Sequence, residues 1–112
     1  MVKAEIGYDS ENDHLFILGE GKYKIKEGMP ISENFTFLFD AACKIRQIEI
    51  SFAYEFFKEF DPVNFKKNIL KEVKKAEFDI KEYRDLILIE IIFIYNGKRI
   101  KEKLIFLQEC IE

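Results

Sequence analysis

The segment that most constrains this chain is near its C-terminal end: Leu86 to Tyr95, then Asn96-Gly97, then Lys98 to Leu107. The first arm, LILIEIIFIY, is apolar at nine of ten positions and rich in Ile. Asn-Gly between two such runs predicts a β-hairpin with a type I′ turn, because both central residues of that turn need positive φ. A two-residue turn fixes the register. Tyr95 then faces Lys98, Phe93 faces Ile100, Glu90 faces Lys103, Ile89 faces Leu104 and Ile87 faces Phe106. One face of this ribbon carries Ile87, Ile89, Ile91, Phe93, Tyr95, Ile100, Leu104 and Phe106 and must be core. The other mixes Leu86, Leu88, Ile92, Ile94, Ile105 and Leu107 with Glu90, Arg99, Lys101 and Lys103. No second helix is evident to cover Ile92 and Ile94. That face is therefore expected to meet another protomer in a two-fold homodimer.

The remainder of the 112 residues alternates in the same way. Strands are expected at Lys3–Tyr8, His14–Leu18, Lys22–Lys26, Asn34–Asp40 and Ile45–Phe52, with a break at Gly28-Met29-Pro30. The period then changes. Ala53, Phe56, Phe57 and Phe60 fall at i, i+3, i+4 and i+7, one helical stripe. Asp61-Pro62 reads as a fresh helix start, Asp as N-cap and Pro at the first helical position. From there to Ala76, Phe65, Ile69, Val73 and Ala76 share one side. Residues 77–85 fit either a connector or a short strand. The expected class is α+β: a single domain over 1–112, an antiparallel sheet of about seven strands, and one bent helix packed on a face.

Chemistry is sparse. Asp9, Glu11 and Asp13 alternate through the first turn, but a calcium loop counted from Asp9 has His14 where its glycine belongs. A solvated Asx turn is the simpler reading. His14, the only histidine, has Asp13 beside it and no neighbouring Ser or Cys nucleophile. Cys43 and Cys110 lie 67 positions apart without CxxC spacing. They are read as free thiols, and zinc is not expected. Gly19-Glu20-Gly21 sits between strands rather than before a helix, so it is no phosphate loop. No cofactor is implied. The opening MVKAEIGYD lacks the apolar run of a signal peptide, and no apolar stretch approaches membrane-spanning length, so a cytoplasmic location is expected.

The one unusual surface feature is basic. Lys66, Lys67, Lys71, Lys74 and Lys75 against Glu72 give residues 62–76 a charge of +4, leaving −7 for the rest of the chain. On a helix, Lys67, Lys71 and Lys74, flanked by Lys75, face away from the apolar side. They are the candidate binding residues, either for an acidic partner or as a solvated face. The net charge of −3 argues against a dedicated nucleic-acid binder.

Tyr8 to Ile17 (YDSENDHLFI) resembles the opening Tyr-Asp-x-x-x-Asp-x-Leu-x-Ile of a short prokaryotic family of uncharacterised function. Phe39-Asp40 and Ile48-Glu49-Ile50 sit where that family has its second block. The likeness spans residues 4–55 and departs at Ala41-Ala42-Cys43. It implies a small β-rich module and transfers no catalytic residue. Together these readings favour a non-catalytic cytoplasmic protein-binding module, of inhibitor or immunity type. The alternatives are a ligand-binding domain or enzyme using His14 and the acidic first turn, and a nucleic-acid-associated protein acting through the lysine helix.

Overall fold

The computed structural model describes residues 1–107; Cys110 lies outside the described residues. The hairpin forms as its sequence requires. β7 (Leu86–Tyr95) and β8 (Lys98–Leu107) pair antiparallel with Tyr95 opposite Lys98, Glu90 opposite Lys103 and Ile87 opposite Phe106. Asn96 and Gly97 have φ of 49° and 77°, both positive as a type I′ turn demands.

Six more strands extend this ribbon: β1 (Val2–Asp9), β2 (His14–Gly19), β3 (Ile25–Pro30), β4 (Phe35–Asp40), β5 (Ile45–Ser51) and β6 (Lys75–Glu82). They form one sheet in the order β3-β4-β5-β2-β1-β6-β7-β8 with every neighbouring pair antiparallel. Register carries one apolar face across the sheet: Phe37 opposite Ile48, Ile48 opposite Ile17, Ile17 opposite Ile6, then Ala4 opposite Ala76 and Ala76 opposite Phe93. Side-chain alternation makes such continuity possible only when every register is in phase.

That face curls. Phe35 of β4 and Phe106 of β8 are separated by five strands in the sheet, yet their ring centroids lie 5.0 Å apart. The single α-helix among the described residues, α1 (Ala53–Phe60), lies inside the curl. Its Phe57 meets Phe93 edge-on at 5.4 Å and stacks on Phe65 at 5.0 Å, while Phe56 meets Phe35 at 5.2 Å. Fully burying an aromatic ring of this kind contributes roughly 1.5–3 kcal/mol, and Phe35, Phe57, Phe65 and Phe93 are all wholly buried.

The structure corrects the sequence reading in three places. There are eight strands among the described residues, not about seven: residues 75–82 form β6, clamped between β1 and β7. Gly28-Met29-Pro30 belongs to β3 instead of breaking the chain, and the expected strand Lys22–Lys26 is confined to the start of β3. The second helical segment does not form. Asp61 is the C-cap of α1, and after it only Ile69–Lys71 makes a short 3-10 turn. Phe65, Leu70 and Val73 still reach the core, but from an irregular path. Like-charge pairs at Lys67/Lys71 and Lys71/Lys75 disfavour the helix, and pairing of Lys75 and Ala76 on both sides outweighs its periodicity. On the outer side of the hairpin Ile92 is 5% exposed, flanked across the strands by Glu77 and Lys101, and Ile94 is half-buried. On that side Ile105 and Leu107 are the exposed apolar residues.

A Cβ built on Gly97 meets no atom within 4 Å, so a side chain there is opposed by backbone conformation alone. Gly97→Val is expected to lose at least about 1–2 kcal/mol of folding stability, the penalty for a left-handed L-residue, read by urea denaturation; an unchanged midpoint would contradict the turn assignment.

Candidate functional site

The acidic first turn is architectural. Asp9 Oδ1 accepts from the N–H groups of Glu11 and Asn12, at 3.1 and 3.3 Å, and its Oδ2 accepts from Asn12 Nδ2 at 2.7 Å. These donors, the Asn12 side chain foremost, hold the Asp9 carboxyl below its ordinary range. Asp13, with φ of 51°, serves a helix far away in sequence. The N-cap residue of α1 is Phe52, whose side chain cannot cap. Asp13 takes that role: its carbonyl accepts from Ala53 N–H at 3.0 Å, Oδ1 from Tyr54 N–H at 2.7 Å and Oδ2 from Glu55 N–H at 3.3 Å. One residue thus satisfies three of the donors that a helix start leaves open. Tyr8 donates to Asp13 Oδ1 at 2.6 Å and accepts from Asn68 Nδ2 at 3.1 Å. Burial, then the bond to Asp13, pushes the Tyr8 hydroxyl up to about 12. Tyr8 and Asp13, the residues at the head of the Tyr-Asp-x-x-x-Asp pattern, therefore anchor α1.

His14 lies on β2 with its ring 4.6 Å from Phe16 and Nε2 3.9 Å from Glu49 Oε2. Among the described residues no group of three His, Cys, Asp or Glu converges on a metal position. Cys43 is exposed in the β4–β5 turn. The lysines do not share a helix face, since they share no helix. Lys66, Lys67, Lys71 and Lys74 are exposed along the irregular segment, whereas Lys75 sits on β6 with Nζ 3.7 Å from Glu20 and 4.0 Å from Glu5. Lys75 is therefore part of a local charge network, and the candidate set reduces to its other members, Lys67, Lys71 and Lys74.

A different surface emerges on α1. Ala53 and Phe57 face the core, and Phe52, Phe56 and Phe60, spaced by four, form a second stripe whose two ends are exposed while Phe56 packs on the buried ring of Phe35. Phe52 is 59% exposed and Phe60 49%; Phe56 is half-buried and stacks on Phe60 at 5.6 Å. Phe52, Phe56, Glu55, Glu59 and Asn34 line a shallow hollow. Its floor is aromatic and its rim acidic. Phe52 is also held at φ 53°, ψ 45°, a left-handed conformation that costs a non-glycine residue about 1–3 kcal/mol. An exposed phenylalanine in a strained conformation contributes little to folding, which sets it apart from every other ring in the molecule. The sequence places Phe56 and Phe60 in one helical stripe and Phe52 on a strand; Phe56 does pack on the core, whereas Phe60 is exposed and Phe52 is the N-cap of α1.

Comparison with family models, with characterised protein sequences and with solved structures gives no match. The site is read from its own geometry.

Asp13→Ala removes two side-chain acceptors from the start of α1 together with the Tyr8 contact, and is expected to destabilise the fold by about 1–2 kcal/mol, as for loss of a helix cap. Asp13→Asn retains an acceptor oxygen and should lose less. Equal thermal stability of Asp13→Ala and the wild type would refute the anchoring role.

Proposed function

We propose that the protein is a non-catalytic, cytoplasmic protein-binding module of inhibitor or immunity type, docking through the outer face of α1. The observation that carries this reading is the aromatic stripe Phe52, Phe56 and Phe60 with Glu55 and Glu59 along it. Aromatic residues, Phe among them, are enriched in the cores of protein interfaces relative to the rest of the surface. Carboxylates beside them favour a cationic partner surface and raise its association rate. Rigidity supports the same reading: Asp13 fixes α1 at its start, so little conformational freedom is lost on docking. The overall net charge of −3 has the same sign as this rim.

A docking role for Lys67, Lys71 and Lys74 is the second reading, favoured by one fact: among the described residues no carboxylate lies within 4.0 Å of any of them. They project from an irregular segment, which suits an acidic partner or a phosphate backbone. A homodimer, if formed on the outer side of the hairpin, uses Leu86, Leu88, Ile105 and Leu107, which are paired across β7 and β8; sedimentation at high protein concentration reads it.

Two variants separate the docking readings. Phe52→Gly removes an exposed ring and relieves the left-handed strain, so folding stability is expected to stay level or rise by up to about 1 kcal/mol. The triple variant Lys67→Glu, Lys71→Glu, Lys74→Glu touches exposed side chains and should shift stability by less than about 1 kcal/mol. Affinity capture from native lysate with the wild type should recover a stoichiometric partner with a cationic surface. Phe52→Gly combined with Phe60→Ser should lose that partner while the lysine variant keeps it. The opposite pattern would move the docking site to the lysines.

A further inference from the structure

One residue on the inner face of the sheet breaks the apolar pattern. Glu102 of β8 stands opposite Ile91, with Ile100 and Leu104 on either side of it on the same face, and is 3% exposed. The other buried carboxylate, Asp40, is fully answered: its oxygens accept from Ala42 N–H at 2.9 Å, Lys44 N–H at 3.0 Å and Arg46 Nε at 2.7 Å. Glu102 has no such company. Its Oε1 is buried without a hydrogen-bond partner, and among the described residues no Lys, Arg or His lies within 4.0 Å of its carboxyl.

The polar group that meets it is another acid. Asp61, the C-cap of α1, lies in side-chain hydrogen-bond contact with Glu102. Asp61 is also where the end of the helix is tied: its N–H donates to Phe57 O at 2.8 Å, its carbonyl accepts from Phe65 N–H at 3.1 Å, and its Oδ2 accepts from Asn64 Nδ2 at 2.7 Å. Two carboxyl groups in contact hold together only while they share a proton. Among the described residues the surrounding elements supply no counter-charge. β7 presents Ile91, β8 presents Ile100 and Leu104, and the turn after α1 presents Asp61 with its bonded Asn64; among the described residues Asp61 is the one charged group acting on Glu102.

We propose that Glu102 and Asp61 form a proton-operated latch, which fastens the C-terminal end of α1 to β8 while the pair holds one proton and releases that end when the proton leaves. Burial, reinforced by the bond to Asp61 and by its charge, raises Glu102 to about 8 from an ordinary 4.5. Donation from Glu102 in turn holds Asp61 low. Raising the folded-state value of an acid makes its contribution to stability largest below the unfolded value and diminishes it as pH climbs toward the folded one. The latch is thus closed in mildly acidic and neutral solution and opens in mild alkali. The proposal is independent of what, if anything, docks on the outer face of α1.

The test is a pH titration of the intact protein with two readouts: the Glu102 carboxyl carbon by NMR, and hydrogen exchange at the amides of Asp61 and Phe65, corrected for intrinsic base catalysis. The Glu102 signal should titrate near 8. Protection at the two amides should fall by at least about tenfold between about pH 6 and about pH 9, one pK unit being tenfold. Glu102→Gln keeps a donor toward Asp61 but carries no titrating proton, and its protection should stay flat over the same range. A Glu102 signal titrating near 4.5, or a Glu102→Gln variant losing protection as the wild type does, would overturn the latch. Should Glu102→Gln fail to fold, Asp61→Asn decides: removing the partner charge must bring the Glu102 midpoint down, and an unmoved midpoint refutes the pairing.

Discussion

An eight-stranded sheet with one apolar face needs a second layer, and among the described residues only eight are α-helical to provide it. The structure depends on how that shortage is met. The sheet rolls until its second strand and its last strand touch through Phe35 and Phe106, and the short helix fills what space remains. Phe57 is the pivot, since it contacts Phe93 of the hairpin and Phe65 of the following segment at once. Truncating a phenylalanine in such a position typically costs 3–5 kcal/mol. Curling also explains why α1 cannot hide all of its rings. A helix enclosed by a concave sheet buries the side that faces inward and must present its remaining side to the mouth of the curl.

Local chemistry made much of this fold legible from sequence. Asn96-Gly97 specified the hairpin register to the residue, and period-two alternation located β1, β2, β4 and β5 to within a few positions. What failed was the stretch from Pro62 to Ala76. There the spacing of Phe65, Ile69 and Val73 satisfied a helix, and pairing partners near the other end of the chain decided otherwise. Lys75 and Ala76 bond to Glu5 and Ala4 on one side and to Ile94 and Phe93 on the other. No local pattern encodes such contacts. β3 failed for the opposite reason: all six of its residues are exposed, so it carries no burial pattern to read.

The two carboxylates that matter most, Asp13 and Glu102, illustrate the same limit for sites. Asp13 looked like a turn residue and is one, but its partners Tyr54 and Glu55 stand 41 and 42 positions away. Glu102 falls on the inward register of β8 opposite Ile91, a position that the hairpin alignment already implied and that composition alone would pass over. Its meaning depends on Asp61, whose place at the end of α1 rather than at the start of a second helix came only with the structure. The Phe52 stripe was likewise visible as letters, while the left-handed backbone that exposes it was not.

The position of β1 has a consequence for how this molecule is made. β1 lies between β2, which follows it directly, and β6, which begins at Lys75. During synthesis from the N-terminus, the β1–β2 hairpin, β5 and α1 all emerge while the other edge of β1 still has no neighbour. Val2, Lys3, Ala4 and Glu5 then offer open backbone groups to any strand in reach, until Lys75 to Phe78 arrive. Pairings so distant in sequence close slowly, and open strand edges invite association with other chains. The lysine-rich segment between α1 and β6 emerges during that interval. Its like charges are well placed to keep neighbouring nascent chains apart while the sheet waits for its centre to be filled.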